Sequence, residues 1–219
     1  MGYYRAGFTE IVGVDVCPMP RYPFSFVQAD ALEYLSEHGH KFDAIHASPP
    51  CKKFNCALNI RVDTDAQRDK HEDLITPTRE LLKQLDIPYV IENVPGAPLI
   101  NPGILCGQMF DTKVIRHRLF ETSFPVDWPS HVPHRGSCAG GELCTVAGMG
   151  GAMKTRGGDR RKEKRTLEAW REAMGISWMQ KYELTQAIPP AYTQFLGEKL
   201  LAQLTGEVHV KCADWEVVL

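Results

Sequence analysis

No apolar run in the chain approaches the roughly 20 residues that a bilayer-spanning helix requires. The first residues, MGYYRAGFTEIVG, hold no apolar signal-peptide core. A cytosolic protein is the expectation. Cysteine is sparse: Cys17, Cys51, Cys56, Cys106, Cys138, Cys144 and Cys212 are too scattered over 219 residues to build a disulfide framework. Reduced thiols are therefore expected, and any of them could act as a thiolate. Strong net charge is also missing. A formal −2 excludes a general nucleic-acid coat but leaves room for a local patch. Residues 154–165, KTRGGDRRKEKR, hold seven Lys/Arg against two acids. Such a run is either a solvated face or a phosphate contact that releases counterions from nucleic acid. Internal repeats are absent, and the apolar content of 43% is that of an ordinary globular chain with a real core.

What is present alternates between two periods. TEIVGVD (9–15) is a short apolar run ending in an acid. FSFVQADALEYLSEHG (24–39) begins as an alternating strand and turns helical after Asp30. KFDAIHASPP (41–50) reads as a strand stopped by prolines. Residues 66–86 have helical spacing at Leu74, Leu81, Leu82 and Leu85, interrupted by Pro77. IPYVIENVPG (87–96) is an apolar strand ending in Glu92-Asn93. Strands alternating with helical stretches imply parallel βαβ units. After Phe124 the chain becomes rich in Gly, Pro and Ser and loses periodicity, which predicts a loop-rich insertion over 124–165. Helical patterns return over 166–179 and 180–204, with Pro189-Pro190 suited to the first turn of the last helix. The expected organisation is a core over 1–123, the insertion over 124–165, and C-terminal helices with a tail over 166–219. The tail, EVHVKCADWEVVL, reads as an alternating strand without an assigned role. Trp128, Trp170 and Trp178 read as packing residues.

In parallel sheets the chemistry sits at the carboxyl ends of the strands. Asp15, Asp30, the Pro49-Pro50-Cys51 loop and Glu92-Asn93 all fall there. Lys52 and Lys53 follow Cys51, and neighbouring cations lower a thiol pKa. Arg116 and Arg118 in VIRHRLFE have period-two spacing and are expected on one side of a strand. A thiolate, a carboxyl group and two guanidinium groups suit a polarised planar heterocycle. The thiolate adds to a ring carbon, the carboxyl group handles a ring nitrogen, and arginine supports the developing oxyanion. His131, His134, Cys138 and Cys144 also cluster in HVPHRGSCAGGELC. Zinc modules favour close cysteine pairs, so this stretch is read as a glycine-rich loop with incidental His and Cys, and no metal site is assigned.

Taken in order, GYYRAGF, VGVD, QADALEYL, SPPCKKFN, YVIENVPG, VIRHRLFE and, more loosely, TQAIPPAYTQFLGEKL resemble motifs of the DNA cytosine-5 methyltransferases. The resemblance covers residues 2 to about 204 in order and spacing. Short forms with a reduced recognition region are similar to those carried by bacteriophages. The resemblance implies an α/β, methyltransferase-type (Rossmann-like), mostly parallel sheet flanked by helices. It implies S-adenosylmethionine as cofactor, held by Asp15, Val16, Asp30, Ala31 and Pro49, and double-stranded DNA as partner. Cys51 would attack carbon 6 of a flipped-out cytosine, Glu92 would contact ring nitrogen 3 with Asn93 positioning it, and Arg118 with Arg116 would contact the carbonyl oxygen. Lys52, Lys53, Lys154, Arg156, Arg160 and Arg161 would lie on the nucleic acid, and the insertion would read a short recognition sequence.

Three departures from the family stand out. The family opens with a strand and a glycine-rich loop, whereas this chain starts at Met1-Gly2-Tyr3. The missing strand is central, so its loss is expected to leave two neighbours unpartnered; an internal start, with ~15–20 further residues upstream, is the expectation. Lys52 stands in place of Gln, and Asn55 in place of Ser. That lysine can lower the thiol pKa, contact phosphate, or favour an acidic cofactor analogue. The last motif reads AIPPAY and lacks its Gly-Asn pair. Two rival readings follow: an RNA cytosine-5 methyltransferase, and an inactive nucleic-acid-binding homologue.

Overall fold

The computed structural model describes residues 1–51, 53–54, 72–136, 138, 142–146, 166–206 and 216–218. Seven strands form one sheet: β1 (Glu10–Asp15), β2 (Ser25–Gln28), β3 (Ala44–Ala47), β4 (Tyr89–Asn93), β5 (Gly103–Leu105), β6 (Arg118–Thr122) and β7 (Glu216–Val218). Their spatial order is β2-β1-β7-β3-β4-β6-β5. The first five in that order run parallel, while β6 is antiparallel to both β4 and β5. The protein is thus α/β with a mixed sheet. No described helix is long and apolar enough to cross a membrane.

Side chains alternate across the sheet, and this alternation sorts the core into two layers. Ala44, Val90 and Phe120 face one side with Tyr3, Tyr192, Leu196 and Leu200. These last four come from helices α1 (Gly2–Ala6) and α6 (Pro190–Thr205). Ile45, Tyr89 and Ile91 face the other side with Leu35 and Leu82, from α2 (Ala31–His38) and α3 (Ile75–Leu85). The two helices of the first layer cross closely because glycines stand at the contact. A Cβ on Gly2 would fall 1.9 Å from Thr193 Oγ1 and 2.3 Å from the Pro190 carbonyl oxygen. Helix α1 then stops at Gly7, whose φ of 119° is open to glycine and costly for other residues. A third cluster, centred on Trp170, Ala173, Met174 and Leu184, joins α4 (Leu167–Met174) to α5 (Lys181–Gln186) and to Val114, Cys144 and Val146.

Three sequence expectations need correction. Pro77 does not interrupt its helix. It lies in the first turn of α3, where a missing N–H leaves no bond unmade, and Asp73 caps that turn through the Ile75 amide at 2.9 Å. The strand holding the two arginines begins only at Arg118, so Arg116 precedes it. The expected unpaired neighbours are not found: β1 and β3 both pair with β7. Ile11 and Val12 stand opposite Val217 and Val218 on one side, and Ala44 and Ile45 stand opposite the same two residues on the other. The expected gap is therefore filled by the tail that had no assigned role. The sheet is mostly parallel, as expected, with β6 alone reversed among the described strands.

The described part of the insertion forms no helix and no named strand, only a bridge between Val114 and Cys144. Its basic run, with Lys154, Arg156, Arg160 and Arg161, lies outside the described residues, as do Lys52 and residues 66–71.

Deleting residues 216–219 should strip backbone partners from two buried strands at once. Unfolding in urea is expected to show a loss on the order of 3 kcal/mol or more. Amide exchange at Ile11, Val12 and Ile45 should accelerate; unchanged protection there would mean β7 does not hold the sheet.

Candidate active site

Glu92 and Arg118 share one face of the sheet. Register explains how. His46 shares a face of β3 with Ala44, and Glu92 shares a face of β4 with Val90. In the antiparallel pair, Glu92 lies opposite Phe120, which places Arg118 two residues along β6 on the same face. A diagonal of that kind is within reach of long side chains. Arg118 Nε meets Glu92 Oε1 at 2.8 Å, with both side chains largely buried. Burial pushes the Glu92 carboxyl up from its ordinary value, against the opposing pull of Arg118, Arg116 and a Ser48 hydrogen bond.

Asn93, 1% exposed, acts on the Pro49-Pro50-Cys51 loop rather than on Glu92. Its Nδ2 donates to the Pro49 carbonyl at 2.9 Å, and its Oδ1 accepts from the Val94 amide at 2.9 Å. The end of β4 thereby fixes the Pro49-Pro50-Cys51 loop. Cys51 is partly exposed and is followed by a turn closed by the Phe54 amide on the Cys51 carbonyl at 3.0 Å. Lys53 lies in that turn.

Arg116 is almost completely buried. Its Nη1 donates to the Val146 carbonyl at 2.6 Å and its Nη2 to the Thr185 carbonyl at 2.7 Å. Both terminal nitrogens are thus engaged with backbone, which makes Arg116 a tie between the insertion, α5 and the site. Burial, then Arg118, draws its guanidinium down to about 9, with Glu92, Tyr192 and Cys51 opposing. The expectation that both arginines lie on one side of a strand fails because only Arg118 belongs to it.

A buried chain of polar groups leads to Glu92, and the sequence reading did not assign it. Tyr3 Oη lies 2.6 Å from His46 Nδ1, and His46 Nε2 lies 3.2 Å from Ser48 Oγ. Ser48 in turn bonds Glu92. Burial holds His46 down to about 3, so the ring is neutral. The one arrangement that satisfies a neutral ring and a carboxylate has Tyr3 donating to Nδ1, Nε2–H donating to Ser48, and Ser48 donating to Glu92. The period-two spacing of His46 and Ser48 in IHAS was the available signal.

Beside this face, a cleft of about 400 Å³ opens at the ends of β1 and β3. Its lining includes Asp15, Val16, Asp30, Ala31 and Pro49, the five residues expected to hold a cofactor. Asp15 Oδ1 accepts from the Cys17 amide at 2.7 Å. Asp30 caps α2 with Oδ1, which accepts from the Leu32 and Glu33 amides at 2.9 and 3.1 Å. Val14, Leu35 and Ile45 supply an apolar wall, and Glu72 adds a carboxylate that the sequence reading missed. A smaller cleft of about 210 Å³, reaching Met1, Pro190 and Thr193, shares His46 and Ser48 with the first.

On the opposite face of the same strand pair, Glu121 takes two bonds from Arg79 at 2.7 and 2.8 Å and a third from the Ile100 amide at 2.7 Å. Arg79 also donates to the Pro98 carbonyl at 2.8 Å. This saturated pair holds the loop after β4.

The insertion histidines do not join Cys138 and Cys144. His131 and His134 gather instead with Cys106 and His117.

His46 should make the protein acid-sensitive. Its folded-state pKa lies below its ordinary value of 6.5, so the unfolded chain binds the extra proton. Stability is complete above 6.5 and falls by about 1.4 kcal/mol per pH unit as pH drops from there toward 3. Urea unfolding between pH 7 and 5 should show this slope for the wild type, and a slope smaller by that amount for His46→Gln.

No protein-family model matches the chain, and no curated protein matches it. The chemistry is read from the geometry of the site alone.

Proposed function

We propose that the protein is a DNA cytosine-5 methyltransferase. The observation that carries this reading is the buried Glu92–Arg118 pair beside a Cys51 loop held by Asn93. A carboxyl group raised by burial holds a proton more readily and can pass it to a ring nitrogen. A guanidinium next to it can support negative charge on the adjoining carbonyl oxygen. A partly exposed thiol at the same strand ends can form a bond to a ring carbon made electrophilic by both.

In this reading Cys51 bonds to carbon 6 of cytosine, and the ring electrons shift toward nitrogen 3, where Glu92 gives its proton. Arg118 stabilises the carbonyl oxygen, and Arg116 keeps Arg118 and the insertion in place. S-adenosylmethionine, when bound, supplies an electrophilic methyl group for carbon 5. Loss of the carbon 5 proton to a base then breaks the Cys51–carbon 6 bond and restores the thiolate, while nitrogen 3 returns its proton to Glu92. The cytosine must leave the duplex, because these ring atoms are covered by stacking.

The larger cleft fits that cofactor in its donor set. Asp15 and Asp30 offer carboxylates for hydroxyl and amino groups, and Val14, Leu35 and Ile45 suit a planar base. The strand order also supports the reading. Counting β7 as the first strand, the order β2-β1-β7-β3-β4 becomes 3-2-1-4-5, that of a doubly wound nucleotide-binding sheet. In that count the larger cleft spans the switch point, with lining from both β1 and β3.

Trapping tests the proposal. The chain incubated with S-adenosylmethionine and DNA containing 5-fluorocytosine should give a covalent adduct that Cys51→Ala abolishes. Glu92→Gln should slow its formation by about 10²–10⁴-fold and Arg118→Ala by about 10²–10³-fold. An adduct on fluorinated RNA and not on DNA would turn the reading to RNA. DNA binding without any adduct would identify an inactive homologue.

A further inference from the structure

Four donor atoms from three separate segments meet next to the β5–β6 hairpin. Cys106 follows β5, His117 precedes β6, and His131 and His134 lie at the start of the insertion. Cys106 Sγ and one ring nitrogen from each histidine all lie within 4.8 Å of one another. Cys106 Sγ is 3.3 Å from His134 Nε2, and His117 Nε2 is 2.9 Å from His131 Nε2. The imidazole centroids are 5.0, 4.9 and 5.2 Å apart.

Two isolated hydrogen bonds would account for two short distances but not for convergence of all four donors. A tetrahedral ion accounts for it. Zinc bonds of about 2.3 Å to sulfur and 2.0–2.1 Å to nitrogen place neighbouring donors about 3.3–3.6 Å apart. The donor set is one thiol and three imidazoles with no carboxylate, which suits zinc and disfavours magnesium or calcium.

A second observation shows that the loop is held in place for this purpose. Gln108, just past Cys106, grips Arg135, just past His134. Its Nε2 donates to the Arg135 carbonyl at 2.8 Å, and its Oε1 accepts from the Arg135 amide at 2.9 Å. The backbone flanking two of the donors is thus fixed independently of them. Cys106 is fully buried while His131 and His134 are exposed, so an ion can enter from the solvent side.

We propose that Cys106, His117, His131 and His134 form a structural zinc site. Four protein donors complete the shell and leave no open position for catalysis. Binding deprotonates the Cys106 thiol and releases that proton to solvent. The site staples the start of the insertion to the hairpin at His117, between Arg116 and Arg118. The ion thereby fixes how the insertion is mounted on the arginines that surround Glu92. This proposal does not depend on the methyl-transfer reading.

Metal analysis and cobalt substitution of the full chain provide the test. The purified chain, stripped by chelator and reloaded with zinc, should retain about one ion after desalting. His131→Gln/His134→Gln should retain less than about one-tenth of that; both residues are exposed, so folding is expected to persist and circular dichroism checks it. With cobalt(II), the wild type should show a thiolate charge-transfer band and the intense visible bands of tetrahedral coordination. Cys106→Ser should lose the charge-transfer band, and Cys144→Ser should keep it. Equal zinc retention by wild type and the double histidine variant would overturn the site. So would a cobalt spectrum without thiolate, or a band that Cys144→Ser removes and Cys106→Ser does not.

Discussion

A sheet covered by helices on both faces cannot carry a gap, because backbone donors and acceptors left there would have neither partner nor water. In this protein the gap would fall between β1 and β3, and the three residues of β7 close it. Everything at the site depends on that closure. One wall of the larger cleft comes from β1 and α2, through Asp15 and Asp30. The other comes from β3 and its proline loop, through His46, Ser48 and Pro49. Without β7 the two walls belong to separate half-sheets, and no common cleft exists.

The two faces of the β4–β6 pair use the same chemistry to opposite ends. Glu121 and Arg79 are saturated by bidentate contact and by backbone groups, so the pair is an anchor. Glu92 meets Arg118 through one oxygen, and Ser48 adds one further bond. Burial there outweighs the attraction of two guanidinium groups, so the carboxyl remains ready to hold a proton. Ion pairs buried at a similar depth thus differ by how completely the carboxylate is satisfied.

Local patterns made much of this legible. The switch from period two to helical spacing at Asp30 marked both β2 and the cap of α2, and the clustering of polar residues after strands marked the site. What sequence reading missed was set by distance along the chain. The seat of β7 depends on partners some two hundred residues away. The polar chain from Tyr3 to Glu92 joins α1, β3 and β4, and only the alternation in IHAS hinted at it. Arg116 and Arg118 share a period-two spacing, which carries no information about where a strand begins. His131 and His134 were weighed with the nearest cysteines, whereas their neighbours in space lie 14 and 28 residues upstream.

The position of β7 also sets an order of assembly. Strands β1 and β2 can pair locally, and so can β4, β5 and β6, but the centre of the sheet must wait for a segment that follows β6 by more than ninety residues. Closing so long a loop is entropically slow, and sheets dominated by distant pairings fold slowly. Until β7 takes its place, β1 and β3 present facing open edges. The same strand that completes the molecule governs how long those edges stay exposed to other chains.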